Sequence, residues 1–144
     1  MTAGYSGAPL PKKLGIADGA AVALDRPPRG FALAAPARIS RKLGAGPYDV
    51  IVAFVTARGE LRARIADARS RLVEHGGLWI AWPKKASGVA TDMTEQAIRD
   101  VALPTGLVDN KVCAIDETWS GLRLVIRREL RSRPPRTPRR ASAR

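Results

Sequence analysis

Residues Asp49 to Val55 read Asp-Val-Ile-Val-Ala-Phe-Val, an apolar run rich in β-branched side chains and broken by no polar residue after its first. A half-exposed strand alternates apolar and polar positions. A run without alternation has to be covered on both faces, which is the environment of a strand in a parallel sheet. The next residues in the chain agree with a buried strand feeding a helix. Thr56 is placed to cap a helix, and Leu61, Ile65, Ala68 and Leu72 then recur at spacings that share one helical face. Glu60 with Arg64 and Asp67 with Arg71 are i,i+4 ion pairs on that helix, each worth about 0.3 kcal/mol. Gly76-Gly77 then offers a left-handed stop. A second apolar strand, Leu78 to Trp82, begins immediately and is closed by Pro83-Lys84-Lys85.

The same alternation extends in both directions. Ala21 to Leu24 is a short strand ended by Asp25-Arg26-Pro27-Pro28, since two prolines can neither continue a helix nor donate to a sheet. Phe31–Leu33 and Ile39–Leu43 are short segments that fit helix or strand. Asp92-Met93-Thr94-Glu95 has capping-box spacing, and Ala97, Ile98, Val101 and Ala102 give the next helix its face, ended by Pro104 and Gly106. Leu107–Ile115 and Trp119–Arg127 are two strands with only Asp116-Glu117-Thr118 between them, a connection short enough for an antiparallel hairpin. Strands alternating with helices through right-handed crossovers predict an α/β fold: a small, three-layer, Rossmann-like, mostly parallel sheet ending in an antiparallel hairpin. The expected organisation is an N-terminal arm over 1–19, the α/β domain over 20–127, and a disordered Arg/Pro tail over 128–144.

The tail is marked off by its charge. The chain of 144 residues carries 25 Lys+Arg against 13 Asp+Glu, a net charge of +12. Residues Arg127 to Arg144 hold eight of those bases and one acid, so an eighth of the length supplies +7 of the excess. Beyond Leu130 no apolar residue is larger than alanine, and such a segment cannot offset the entropy of ordering itself. Its arginines, among them Arg131, Arg133, Arg136, Arg139, Arg140 and Arg144, are expected to attract polyanions with an affinity that falls steeply with salt. Nucleic acid is the expected partner, bound without sequence preference. An anionic membrane surface and a purely solubilising extension are the competing readings.

The remaining composition excludes several classes. Cys113 is the single cysteine, so no internal disulfide can form. Cys113 and His75 are the only soft or imidazole ligands, too few for a structural zinc site, and no cofactor or metal is expected. No apolar run reaches the roughly 18 residues of a membrane span, and the first ten residues lack a signal-peptide h-region. A cytoplasmic location is the expectation. His75 is expected at a helix C-terminus, away from Ser120 and Asp116, so a catalytic triad is not. Cys113 reads as a small core residue.

In a parallel sheet, ligands gather beyond the carboxyl ends of the strands. That edge is expected to collect Asp25, Thr56, Trp82, Lys84 and Lys85, joined by Asp116, Glu117, Trp119 and Ser120 of the hairpin turn. Lys84 and Lys85 would hold a small anionic ligand, with Trp82 or Trp119 as a stacking face and Tyr5 of the arm as a lid. The plainer alternative makes the tryptophans core and leaves the charges to solvent.

Several segments also carry a resemblance. Gly4-Tyr5-Ser6-Gly7, Pro11-Lys12-Lys13-Leu14-Gly15, Trp82-Pro83-Lys84-Lys85 and the stretch Lys111–Arg123 resemble an uncharacterised bacterial family of small proteins, known as a domain of unknown function. The likeness covers the body to about Arg127 and implies no activity. More loosely, Leu14–Leu24 and Leu72–Trp82 resemble the corresponding passages of S-adenosylmethionine-dependent methyltransferases. That fold carries a glycine-rich loop after its first strand, where this chain has Asp25-Arg26-Pro27-Pro28, and the strand bearing the ribose-binding acid is expected to be missing, because few residues lie between Leu24 and Asp49. The expected function is therefore a non-catalytic binding or regulatory domain. A reduced methyltransferase-like enzyme acting at the same edge is the alternative.

Overall fold

The computed structural model describes residues 9–132. Six strands, β1 (Ala21–Asp25), β2 (Arg38–Ser40), β3 (Tyr48–Phe54), β4 (Leu72–Pro83), β5 (Leu107–Ala114) and β6 (Trp119–Ile126), form one sheet in the order β2-β1-β3-β4-β6-β5. The first four neighbours pair in parallel, β6 runs antiparallel to β4, and β5 antiparallel to β6. The helices are α1 (Leu10–Lys13), α2 (Leu61–Arg69) and α3 (Glu95–Ala102). This is the expected mostly parallel α/β sheet with a closing hairpin.

The apolar run of β3 is covered on both faces, as its composition demands. Ile51, Ala53 and Val55 face α2 and α3, whose Leu61, Ile65, Ala68, Ala97 and Ile98 are all buried there. Val50, Val52 and Phe54 face the other side with Val22, Leu24 and Trp79. That second face is roofed by α1 and by the irregular chain through Phe31 and Leu33 instead of by long helices. Leu14, at the end of α1, is wholly buried, and its carbonyl accepts a hydrogen bond of 3.1 Å from the Trp79 indole. From the expected arm, Leu14 is thus part of the core, with Leu10 partly buried against it; full burial of a side chain such as Leu14 contributes about 1.5–3 kcal/mol.

Four local expectations are corrected. Helix α2 ends at Arg69 with Ser70 as its C-cap, and Gly76-Gly77 lies inside β4 without a left-handed conformation. His75 is consequently a strand residue, exposed, and not at a helix end. The sequence pattern misled because Leu72 continues the helical spacing although it is the first residue of a strand. Thr56 does not cap α2; a 3₁₀ turn over Arg58–Glu60 intervenes, and the Thr56 carbonyl accepts a bond from the Thr91 hydroxyl. Helix α3 is capped by Thr94, whose hydroxyl accepts from Ala97 N at 3.0 Å, while Asp92 accepts from Arg58 N at 2.7 Å. The short segment at Ile39 resolves as β2, pairing with β1 from Arg38 to Ser40.

Candidate functional site at the carboxyl ends of the parallel strands

Strand β1 has β2 on one side and β3 on the other, so the chain reverses its direction of travel across the sheet between β1 and β3. In open α/β sheets the crevice beyond that point is where ligands bind. Here it is occupied by Arg64. From α2 its guanidinium reaches over the strand ends: Nε donates to Asp25 Oδ2 at 3.1 Å, Nη1 to Glu60 Oε1 at 3.0 Å, and Nη2 to the carbonyls of Phe54 at 2.8 Å and Asp25 at 3.3 Å. The arginine and aspartate side chains are only 8% and 13% exposed. A buried guanidinium is tolerable because carboxylates and strand-end carbonyls together meet its donors.

Beside this plug lies a cavity of about 340 Å³ lined by Arg26, Pro28, Phe54, Thr56, Glu60, Arg64 and Trp119. Its apolar wall is an aromatic row. Phe54 meets Phe31 edge-on with ring centres 4.9 Å apart, and Trp119 edge-on at 5.1 Å. The charged rim is Arg26, whose guanidinium is 3.7 Å from Glu60 and mostly in solvent. Arg26 has φ 55°, in the left-handed region that a side chain with a Cβ seldom adopts. That conformation, immediately before Pro27-Pro28, turns the chain sharply off the end of β1.

The expected site residues divide into groups. Asp25, Thr56 and Trp119 are at the strand ends, with Asp25 committed to Arg64. Lys84 and Lys85 follow β4 at the same end; Lys84 N donates to Thr118 O at 2.8 Å, and neither lysine lines the cavity. Trp82 packs with the core on the α2–α3 face, whereas Trp119 packs on the opposite face, so the two indoles cannot share a ligand. Asp116 builds the hairpin turn, accepting at 2.8 Å from both Thr118 N and Trp119 N. Glu117 is exposed in that turn, and Ser120 pairs within the sheet against Trp82. Tyr5 lies outside the described residues, as do Arg133, Arg136, Arg139, Arg140 and Arg144 of the tail. In the sequence, Arg64 stands out only as a partner of Glu60. The signal that finds it is its position, on the same face as Leu61, Ile65 and Ala68, where a charged side chain needs buried partners.

Cys113 is half-buried against the roofed face, and burial pushes its thiol pKa up. It is therefore a poor nucleophile at neutral pH. No group of three His, Cys, Asp or Glu residues able to hold a metal occurs among the described residues, and no described helix is long and apolar enough to cross a membrane.

The root of the tail sits at the other end of the sheet. Arg127 N donates to Gly106 O at 2.9 Å, and Ser132 donates through N and Oγ to Glu74 Oε2 at 2.7 and 2.9 Å. These bonds, backbone first, lower the Glu74 carboxyl pKa. Among the described residues, Nε of Arg69, Arg127 and Arg131 is buried without a hydrogen-bond partner.

A family model described as a protein of unknown function (DUF3052) matches residues 46–128, which include β3, the Arg64 plug, β4 and the closing hairpin. No curated protein sequence matches the chain. Among solved structures, the chain is similar to magnesium protoporphyrin IX methyltransferase (ChlM) from Synechocystis PCC 6803 with bound SAH. The two are 18% identical, with a TM-score of 0.46 over 62% of this chain and 50% of that one. The chain thus spans about half the length of that enzyme. With more than half of its residues matched by the family model, the chain belongs to the DUF3052 family, whose function is unknown.

Proposed function

We propose that this protein is a non-catalytic binding domain that takes a small anionic ligand with a flat apolar part in the cavity beside Arg64. The observation that carries the reading is the plug itself. A nucleotide-like cofactor stretches along the crevice at the strand ends, and Arg64 fills that crevice with the protein's own charge. What is left is a cavity of about 340 Å³, at the small end of the roughly 300–1,000 Å³ that ligand sites occupy. Trp119 and Phe54 offer the apolar wall and Arg26 the cation. The left-handed backbone at Arg26 supports the assignment, since strain of about 1–3 kcal/mol is commonly held where a side chain must be aimed. Lys84 and Lys85 would add to the positive potential at this end without lining the cavity.

A thermal-shift screen of the full chain against small aromatic carboxylates, nucleotides and S-adenosylmethionine tests the proposal. An aromatic carboxylate should stabilise the protein, and Arg26→Ala should abolish that shift while leaving the unliganded melting temperature nearly unchanged. Stabilisation by S-adenosylmethionine would instead support the reduced methyltransferase-like enzyme.

The tail supports a second role, sequence-nonspecific contact with nucleic acid. The supporting observation is charge: Arg127 to Arg144 hold eight arginines against one acid, a density of cations that attracts phosphates whatever the base sequence. Anisotropy with labelled duplexes of unrelated sequence should give equal affinities that fall with salt by a log slope of about −0.9 per phosphate. Equal binding by a variant with Arg133, Arg136, Arg139, Arg140 and Arg144 changed to Gln would remove the tail from this role.

A further inference from the structure

A second cavity, of about 410 Å³, opens at the amino-terminal end of the parallel strands, far from the Arg64 plug. Gly15, Asp18, Asp49, His75, Gly76 and Arg123 are among the residues that line it. Arg123 comes from β6, opposite Trp79 of β4. Its guanidinium lies across Gly77: a Cβ there would stand 2.6 Å from Nε and 2.8 Å from Nη2. The missing side chain is therefore the space the guanidinium uses. Burial alone lowers the Arg123 pKa, with no hydrogen bond or ion pair among the described residues to offset it. A guanidinium half-withdrawn from water normally finds an acceptor.

The acceptors are in the same cavity but do not pair with it. Asp18 and Asp49 line the wall, and neither forms an ion pair within 4.0 Å of Arg123. Asp49 spends one oxygen on Ala21 N, at 2.8 Å, which fixes the start of β1. Its other oxygen makes no hydrogen bond within the described chain, and Asp18 is exposed. One cation and two anions thus share a cavity without neutralising one another. A phosphate dianion would meet the repulsion of both carboxylates, and a simple cation would meet Arg123. A molecule that carries a carboxylate at one end and ammonium groups elsewhere satisfies all three.

We propose that this cavity binds a free α-amino acid, with its carboxylate on the Arg123 fork and its cationic groups towards Asp18 and Asp49. Two carboxylates, Asp18 and Asp49, against the single guanidinium of Arg123 make lysine, ornithine and arginine the preferred side chains. A planar guanidinium matches a carboxylate through two parallel bonds, so Lys at position 123 is a poor substitute.

Calorimetric titration of the full chain with L-lysine, L-arginine, L-alanine, acetate, methylammonium and inorganic phosphate tests this. Lysine and arginine should bind most tightly and alanine more weakly, with acetate, methylammonium and phosphate at least about tenfold weaker than lysine. Arg123→Met should remove amino-acid binding, and Asp18→Asn should weaken the basic amino acids more than alanine. In the unaltered protein, lysine should shift the Arg123 Nε–H resonance together with the Gly76 and Gly77 amides, a readout that stands if Arg123→Met does not fold. Tighter binding of phosphate or acetate than of lysine overturns the proposal, as do unmoved Arg123, Gly76 and Gly77 resonances at saturating lysine.

Discussion

The guanidinium of Arg64 and the carboxylate of Asp25 are 39 residues apart in sequence and 3.1 Å apart in space, at the point where the sheet changes direction. The pair ties α2 to the end of β1. Through the Phe54 carbonyl it also holds β3. A sheet edge that would otherwise leave strand-end carbonyls facing a crevice is closed by one side chain.

Removing that side chain should be costly. Arg64→Met keeps most of the apolar stem but leaves Asp25 nearly buried and unpaired, so unfolding in urea should show a loss of about 3–5 kcal/mol. The double variant Arg64→Met/Asp25→Asn should recover a substantial part of the loss, because the uncompensated charge is then gone. A double variant no more stable than the single one would show that the carbonyl contacts, and not the ion pair, dominate.

The adjacent glycines of β4 should respond differently to the same substitution. A Cβ at Gly76 would meet the backbone oxygen of Asp49 at 2.8 Å, and backbone in a central sheet cannot withdraw cheaply. The nearest atoms a Cβ at Gly77 would meet belong to the Arg123 guanidinium, the far end of a flexible side chain. Gly76→Ala should therefore destabilise by about 1–3 kcal/mol, and Gly77→Ala by clearly less. Paired denaturation curves decide it.

The cap of α3 separates sequence pattern from structure. Thr94→Ala removes the acceptor for Ala97 N and should cost about 1 kcal/mol. Asp92→Ala should leave α3 itself intact and instead loosen the turn at Arg58, which amide exchange at Arg58 would register.

Docking of the tail root should depend on pH. The bonds from Ser132 hold the Glu74 carboxyl below its ordinary pKa of 4.5. A depressed folded-state pKa means the contact stabilises fully above the ordinary carboxylate range and is lost as pH falls through the lowered value. The Ser132 amide shift, followed through an acid titration, should move with Glu74. In Glu74→Gln it should no longer move across that range.

The layering of the fold is written locally in the chain. The unbroken apolar run of β3 demands cover on both faces, and the helical spacing of Leu61, Ile65 and Ala68 supplies it on one, because side-chain periodicity is a local property. The closing hairpin was equally legible, since only four residues, Ile115 to Thr118, join its strands. Strand neighbours and register lie beyond any such pattern. The helical period runs on to Leu72 although the chain has already left the helix, because β4 pairs with β3 from its first residue, Tyr48 opposite Leu72. Trp82 and Trp119 stand at one end of the sheet yet on opposite faces, a consequence of strand register. Arg64 meeting Asp25 across 39 residues, and Arg123 lying over Gly77, depend on which strands become neighbours. No local pattern encodes that, because the free energy that selects it is shared among contacts distant in the chain.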